Sequence, residues 1–215
     1  MSSKNKIPHV LDTLKARYGL WRARRDPFRV LVATVISQRC RDEVTDEVAA
    51  ELFKHFSTPE EFAGAPKVKL EKLLHRSGFY RQKAERIKAI ARILVGEHES
   101  RVPADREQLL QLPGVGRKTA NCVLNFGFGA PAIAVDTHVH RISNRLGWVK
   151  TKTPEQTEGE LERIVPPDRW VEVNGLFVDF GRDLCRPINP RCQECTFSTF
   201  CPTGKSRVKA LKAKD

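Results

Sequence analysis

No apolar run in this 215-residue chain approaches the roughly 18 residues that a membrane span requires. Its first residues, Met-Ser-Ser-Lys-Asn-Lys-Ile-Pro-His, carry charge but lack the apolar stretch of a secretory leader. A soluble intracellular protein is therefore expected, cytoplasmic and, if prokaryotic, nucleoid-associated. Internal repeats and low-complexity linkers are also missing. With 40% hydrophobic residues, 7% aromatics, 13 Gly and 13 Pro, the composition argues against disorder and fibrous architecture. The few aromatics form no stacking motif, which disfavours an RNA-binding scaffold. The length suits one large domain or two small ones.

Acidic residues are the scarcer charge, and the formal net charge of +12 is unevenly placed. Residues 1–25 carry +6 and residues 204–215 carry +4, leaving +2 for everything between. Such an excess favours a polyanionic partner, nucleic acid being the commonest, although basic ends also serve solubility alone.

Apolar residues recur at helical spacing along most of the chain. Val44, Val48, Leu52 and Phe56 form one stripe, with Asp42 as its expected N-cap. Leu70, Leu73 and Leu74 mark a short helix, and Ala84, Ile87, Ala91 and Leu94 a long one. Val139, Ile142 and Leu146 follow, then Leu161, Ile164 and Val165, then Trp170, Val173, Phe177, Phe180 and Leu184. The β-branched run Val30–Ile36 is open to a strand reading, but it lacks alternation. Gly78, Gly96, Gly147 and the Pro166-Pro167 pair stand where helices should stop. An all-α protein with short connections is expected.

Between two of these helices lies Leu112-Pro113-Gly114-Val115-Gly116-Arg117-Lys118-Thr119-Ala120. The two glycines permit positive φ and close approach of a ligand to the backbone. N–H groups of Gly114 and Gly116 at the start of a helix suit a phosphate. A Walker loop is excluded because Arg117 separates Gly116 from Lys118. A dinucleotide fingerprint is excluded because Thr119 stands where glycine is needed. A plain tight turn is the bland alternative, weakened by the adjacent Arg117-Lys118 pair.

Six cysteines are present, and Cys185, Cys192, Cys195 and Cys201 bunch as C-x6-C-x2-C-x5-C. In an intracellular chain this clustering points to a metal site. Zinc and a four-iron cluster both take four thiolates, and spacing alone does not separate them. The loop between the first two, Arg186-Pro187-Ile188-Asn189-Pro190-Arg191, presents two arginines suited to positioning on phosphates. Cys40 and Cys122 are expected in buried apolar roles. His138 and His140 are expected to pack on a helix face, because no further ligands accompany them.

The hairpin, with Val135-Asp136-Thr137-His138-Val139 following eighteen residues after Lys118, resembles the helix-hairpin-helix, Gly/Pro-rich loop and aspartate signature of DNA glycosylases. Within that superfamily the sequence resembles the endonuclease III family, from about Pro27 to Cys201. The resemblance implies a two-lobed all-α fold. A helical barrel domain with the hairpin would span 21–131, and 1–20 with 132–215 would form the cluster domain. It assigns a [4Fe–4S] cluster to Cys185, Cys192, Cys195 and Cys201. It further implies a monomeric base-excision enzyme, a DNA glycosylase with AP lyase activity, releasing oxidised or ring-saturated pyrimidines from duplex DNA.

In that reading Lys118 is the nucleophile and Asp136 stabilises positive charge on the sugar and assists proton transfer. Gln38 and Phe79 are the wedge candidates that fill the gap left by a flipped base. Gly114, Gly116, Arg117, Arg186 and Arg191 are the expected DNA contacts. A free lysine, with a pKa of about 10.4, is neutral roughly once in a thousand at pH 7. Burial, a helix N-terminus and a neighbouring cation such as Arg117 all lower that value. The bland alternatives are a phosphate-contacting Lys118 and an Asp136 that merely caps a helix. Position 40 is Cys where relatives more often have a small or hydroxyl residue. Two other readings stay open: a monofunctional mismatch glycosylase, whose relatives generally lack lysine at position 118, and a non-catalytic hairpin module with structural zinc.

Overall fold

Pro27 with a preceding Asp26 is a strong helix start, and the Asp26 carboxylate accepts the Arg29 N–H at 2.8 Å. That cap explains why the β-branched run Val30–Ile36 is helical. Tertiary burial then overrides its weak helix propensity, because Phe28, Val30, Leu31, Val32, Val35 and Ile36 are all buried. The computed structural model describes residues 6–19 and 25–212. Among them are twelve α-helices and no strand. They are α1 (Ile7–Tyr18), α2 (Pro27–Ser37), α3 (Asp42–His55), α4 (Pro59–Gly64), α5 (Lys67–Leu74), α6 (Tyr80–Glu97), α7 (Arg106–Gln111), α8 (Arg117–Cys122), α9 (Thr137–Arg145), α10 (Pro154–Ile164), α11 (Trp170–Asp183) and α12 (Pro202–Lys212). None of the helices is long and apolar enough to cross a membrane.

The chain divides into two compact units, Ala23–Ala130 and Met1–Arg22 with Pro131–Asp215. In the 23–130 unit, α2 packs on α3, α6, α8 and a π-helical turn, Val123–Phe128, that continues α8. Helices α4 and α5 pack on α6. Phe28, Phe53, Phe56 and Phe62 make an aromatic core, with Phe28 and Phe62 edge to face at 5.2 Å.

In the other unit, α1 packs on α11, and α9 packs on α10 and α11. Val10, Leu11 and Leu14 of α1 share a core with Val139, Ile142, Trp148, Leu161, Phe177 and Phe180. Polar contacts tie the same helices together. Glu172, itself buried, accepts from Lys15 at 3.2 Å and Arg169 at 2.6 Å, and Arg169 also reaches Asp12 at 2.7 Å.

Three local expectations need correction. Asp42 is the first residue of α3 and not its cap; Arg41 holds the cap position and offers no capping side chain. Gly96 lies inside the last turn of α6, which continues to Glu97. Cys40 is only half-buried, because it sits beyond α2 in a turn where its N–H donates to the Ser37 carbonyl at 3.1 Å. Cys122, by contrast, is buried.

Candidate functional sites

Leu112 to Gly116 forms the turn between α7 and α8. Only Gly114 uses left-handed backbone, at φ +73°; Gly116, at φ −102°, does not, so the expectation of two special glycines narrows to one. The backbone therefore calls for glycine at 114, and a Cβ there would also lie 2.7 Å from Cδ of Arg86, whose side chain would have to shift. Gly116 is the N-cap residue of α8, whose first two residues are Arg117 and Lys118. Lys118 is half-buried, and among the described residues it enters no ion pair. Thr119 and Ala120 behind it are buried and anchor the helix.

The segment after α2 is tied to this turn. Gln38 Nε2 donates to the Gly114 carbonyl at 3.0 Å, and Gln38 Oε1 accepts from Arg86 Nη1 at 3.0 Å. Phe79 precedes α6 in left-handed backbone, at φ +47°, and the residue is 54% exposed. The Arg39 guanidinium, on a residue that is also left-handed at φ +52°, lies 5.5 Å from the centre of the Phe79 ring. Gln38, Arg39, Phe79 and Arg86 line one pocket with Gln82 and Lys83. Arg39 and Phe79, in contact across this pocket, are both non-glycine residues in a conformation that costs energy locally. The sequence signals Gln38 and Phe79 only through the resemblance; Arg39, Lys83 and Arg86 carried no signal of their own.

Asp136 lies in the other unit, at the end of the buried segment Ala132–Val135. Its Oδ1 accepts the Val139 N–H at 2.8 Å, so the aspartate does cap α9. Asn174 of α11 donates to the Ala134 carbonyl at 2.7 Å and fixes the approach to the cap. His140 contacts Thr157 Oγ1 at 2.6 Å, and His138 Nδ1 lies 3.2 Å from Arg141 Nη2, so both serve helix packing. Gly181 of α11 faces them; a Cβ there would clash with His138 Nδ1 and come within 2.8 Å of Arg141 Nη2.

Cys185, Cys192, Cys195 and Cys201 line one pocket with Leu146, Phe180, Leu184 and Phe197. Burial pushes the Cys195 thiol up to about 11 and raises Cys192 and Cys201 as well. No three His, Cys, Asp or Glu among the described residues are grouped so as to hold a metal ion. From α9, Arg141 and Arg145 donate to the Cys185 carbonyl, and Arg145 also reaches the carbonyls of Arg186 at 2.6 Å and Pro187 at 2.8 Å. Arg186 and Arg191 are exposed; Arg186 Nε bonds to the Asp183 carbonyl at 3.1 Å, and Arg191 pairs loosely with Glu194 at 3.8 Å. Neither Arg141 nor Arg145 stands out in the sequence, where each reads as an ordinary helix cation.

A glycine hairpin leading into Arg117-Lys118, an aspartate-capped helix and a cysteine-lined pocket together define a class. The chain belongs to the HhH-GPD superfamily of base excision DNA repair proteins, whose family model matches residues 32–167. Within it, the likeness is to endonuclease III. The chain is 56% identical over 184 residues to Endonuclease III of Thermotoga maritima, with 86% of each chain covered. It is 39% identical over 185 residues to Endonuclease III of Bacillus subtilis, covering 86% of this chain and 84% of the relative. The fold matches a trapped covalent intermediate of an endonuclease III with DNA at TM-score 0.88 and 36% identity, over 97% of this chain and 100% of that one.

Proposed function

We infer that this chain is a base excision repair DNA glycosylase with AP lyase activity, acting on duplex DNA that carries an oxidised or ring-saturated pyrimidine. The target nucleotide leaves the stack, and Gln38 and Phe79 occupy the gap. The Lys118 amine, in its neutral form, attacks C1′ of the flipped sugar. The bond from C1′ to the base breaks, the base departs with a proton, and opening of the sugar ring gives a Schiff base on Nζ. Loss of a C2′ proton then drives β-elimination, and the strand breaks 3′ to the lesion. Asp136 stabilises positive charge on the sugar and assists the proton transfers. Gly114, Gly116 and Arg117 hold the phosphates beside Lys118, and Arg186 and Arg191 hold them at the cysteine loop.

The observation that carries this reading is the place of Lys118. It is half-buried at the second position of α8, directly after the left-handed hairpin, and it has no ion pair among the described residues. The four thiols line one pocket. Four thiolates are the donor set of a [4Fe–4S] cluster and equally of zinc, and it is the family resemblance that favours the cluster. Cys185, Cys192, Cys195 and Cys201 would hold it. When bound, it supplies rigid cross-linking of the basic loop.

The test is single-turnover release of a ring-saturated pyrimidine from a duplex, followed by strand cleavage. Lys118→Gln should abolish cleavage and base release together while DNA binding persists. Full cleavage by that variant would overturn the reading. Asp136→Asn should slow base release far more than it weakens binding; parallel losses would reduce Asp136 to a helix cap.

A further inference from the structure

Lys83, in the first turn of α6, is 2% exposed and has no carboxylate partner among the described residues. A buried ammonium is costly unless its donors are answered. Here Nζ donates to the Ile36 carbonyl at 2.7 Å and to the Ser77 carbonyl at 2.7 Å. The first acceptor belongs to the last turn of α2, where carbonyls have no partner within the helix. The second belongs to the turn ahead of α6, which Ser77 Oγ braces by donating to the Leu74 carbonyl at 2.7 Å.

Two residues after each acceptor stand Gln38 and Phe79. The backbone at and beside the wedges is unusual: Arg39, Gly78 and Phe79 all have positive φ. An aliphatic side chain would fill the same space without joining the two segments. The lysine joins them, and it lines one pocket with Gln38 and Phe79.

We propose that Lys83 is a positioning residue, whose ammonium fastens the end of α2 to the turn before α6 and so sets the spacing of Gln38 and Phe79 for insertion into the duplex. The inference rests on the reading of those two residues as wedges. In this role Lys83 acts through the backbones that it holds.

The experiment compares single-turnover cleavage of an abasic site in paired duplex with cleavage of the same strand unpaired, for wild type, Phe79→Ala, Lys83→Met and the double variant. Lys83→Met keeps length and removes the donors. The duplex-to-single-strand ratio should fall about 10- to 100-fold, the scale of a small misplacement remote from the chemistry. The double variant should fall no further than Phe79→Ala, since both act on one insertion step. Equal losses on both substrates would show a merely structural lysine and overturn the inference. A fall in ratio for Phe79→Ala but not for Lys83→Met would overturn it while leaving the wedge intact. An unchanged ratio for Phe79→Ala would bring down the wedge reading, and this inference with it. If Lys83→Met fails to fold, Lys83→Gln, too short to reach both carbonyls, takes its place in the same comparison with the same expected fall.

Discussion

The Arg145 guanidinium lies 3.6 Å from the sulfur of Cys185 and donates to the carbonyls of Arg186 and Pro187. One side chain at the end of α9 thus fastens the start of the cysteine loop and leaves a positive charge beside the Cys185 sulfur. Hydrogen bonds from charged groups contribute about 1.5–3 kcal/mol each where water is excluded. These contacts are partly exposed, so Arg145→Ala should cost about 1–3 kcal/mol in total. Chemical denaturation would measure that loss. The variant should also release iron faster to a chelator, followed by decay of visible absorbance. Unchanged release would mean that Arg145 braces the backbone alone.

On the proposed reading the cysteine ligands would act on binding and not on chemistry. Cys192→Ser should lose the broad visible absorption of an iron–sulfur protein and weaken affinity for duplex DNA. A colourless wild-type protein containing stoichiometric zinc would contradict the assignment.

Gly114→Ala forces a side chain into left-handed backbone, at about 1–2 kcal/mol, and presses on Arg86. Arg86 would then lose its hydrogen bond to Gln38. Denaturation should show that loss of stability, and DNA binding should weaken beyond what stability explains.

Asp183 offers a pH-dependent prediction. The Tyr18 hydroxyl donates to its carboxylate at 2.8 Å, Arg17 reaches the same oxygen at 2.8 Å, and the aspartate is held below its ordinary value by the Tyr18 bond first. A carboxyl lowered on folding contributes stability above its unfolded pKa, about 3.9, and loses it as pH falls through the lower folded value. The melting-temperature gap between wild type and Asp183→Asn should therefore be full at neutral pH and close below about pH 4. A gap independent of pH would contradict this.

The cysteine quartet and the hairpin are legible in the sequence because covalent spacing and glycine backbone freedom are local properties. Asp136 is legible twice over, as an N-cap ahead of Thr137 and through the family resemblance. Lys83 and Arg145 are not. A lysine on an amphipathic helix reads as solvated, and the burial of Lys83 depends on carbonyls supplied by Ile36 and Ser77, the first 47 positions away in sequence. The left-handed backbones of Arg39 and Phe79 are likewise hidden, because those residues disfavour the conformation locally and only tertiary contacts impose it. The half-burial of Cys40 follows from the same turn.

On the proposed mechanism the Lys118 amine bonds to the sugar. Incubation with an abasic oligonucleotide under borohydride should yield a covalent adduct, and digestion followed by mass spectrometry should place the reduced sugar on the peptide that contains Lys118. An adduct on any other residue, or one that persists in Lys118→Gln, would contradict the account.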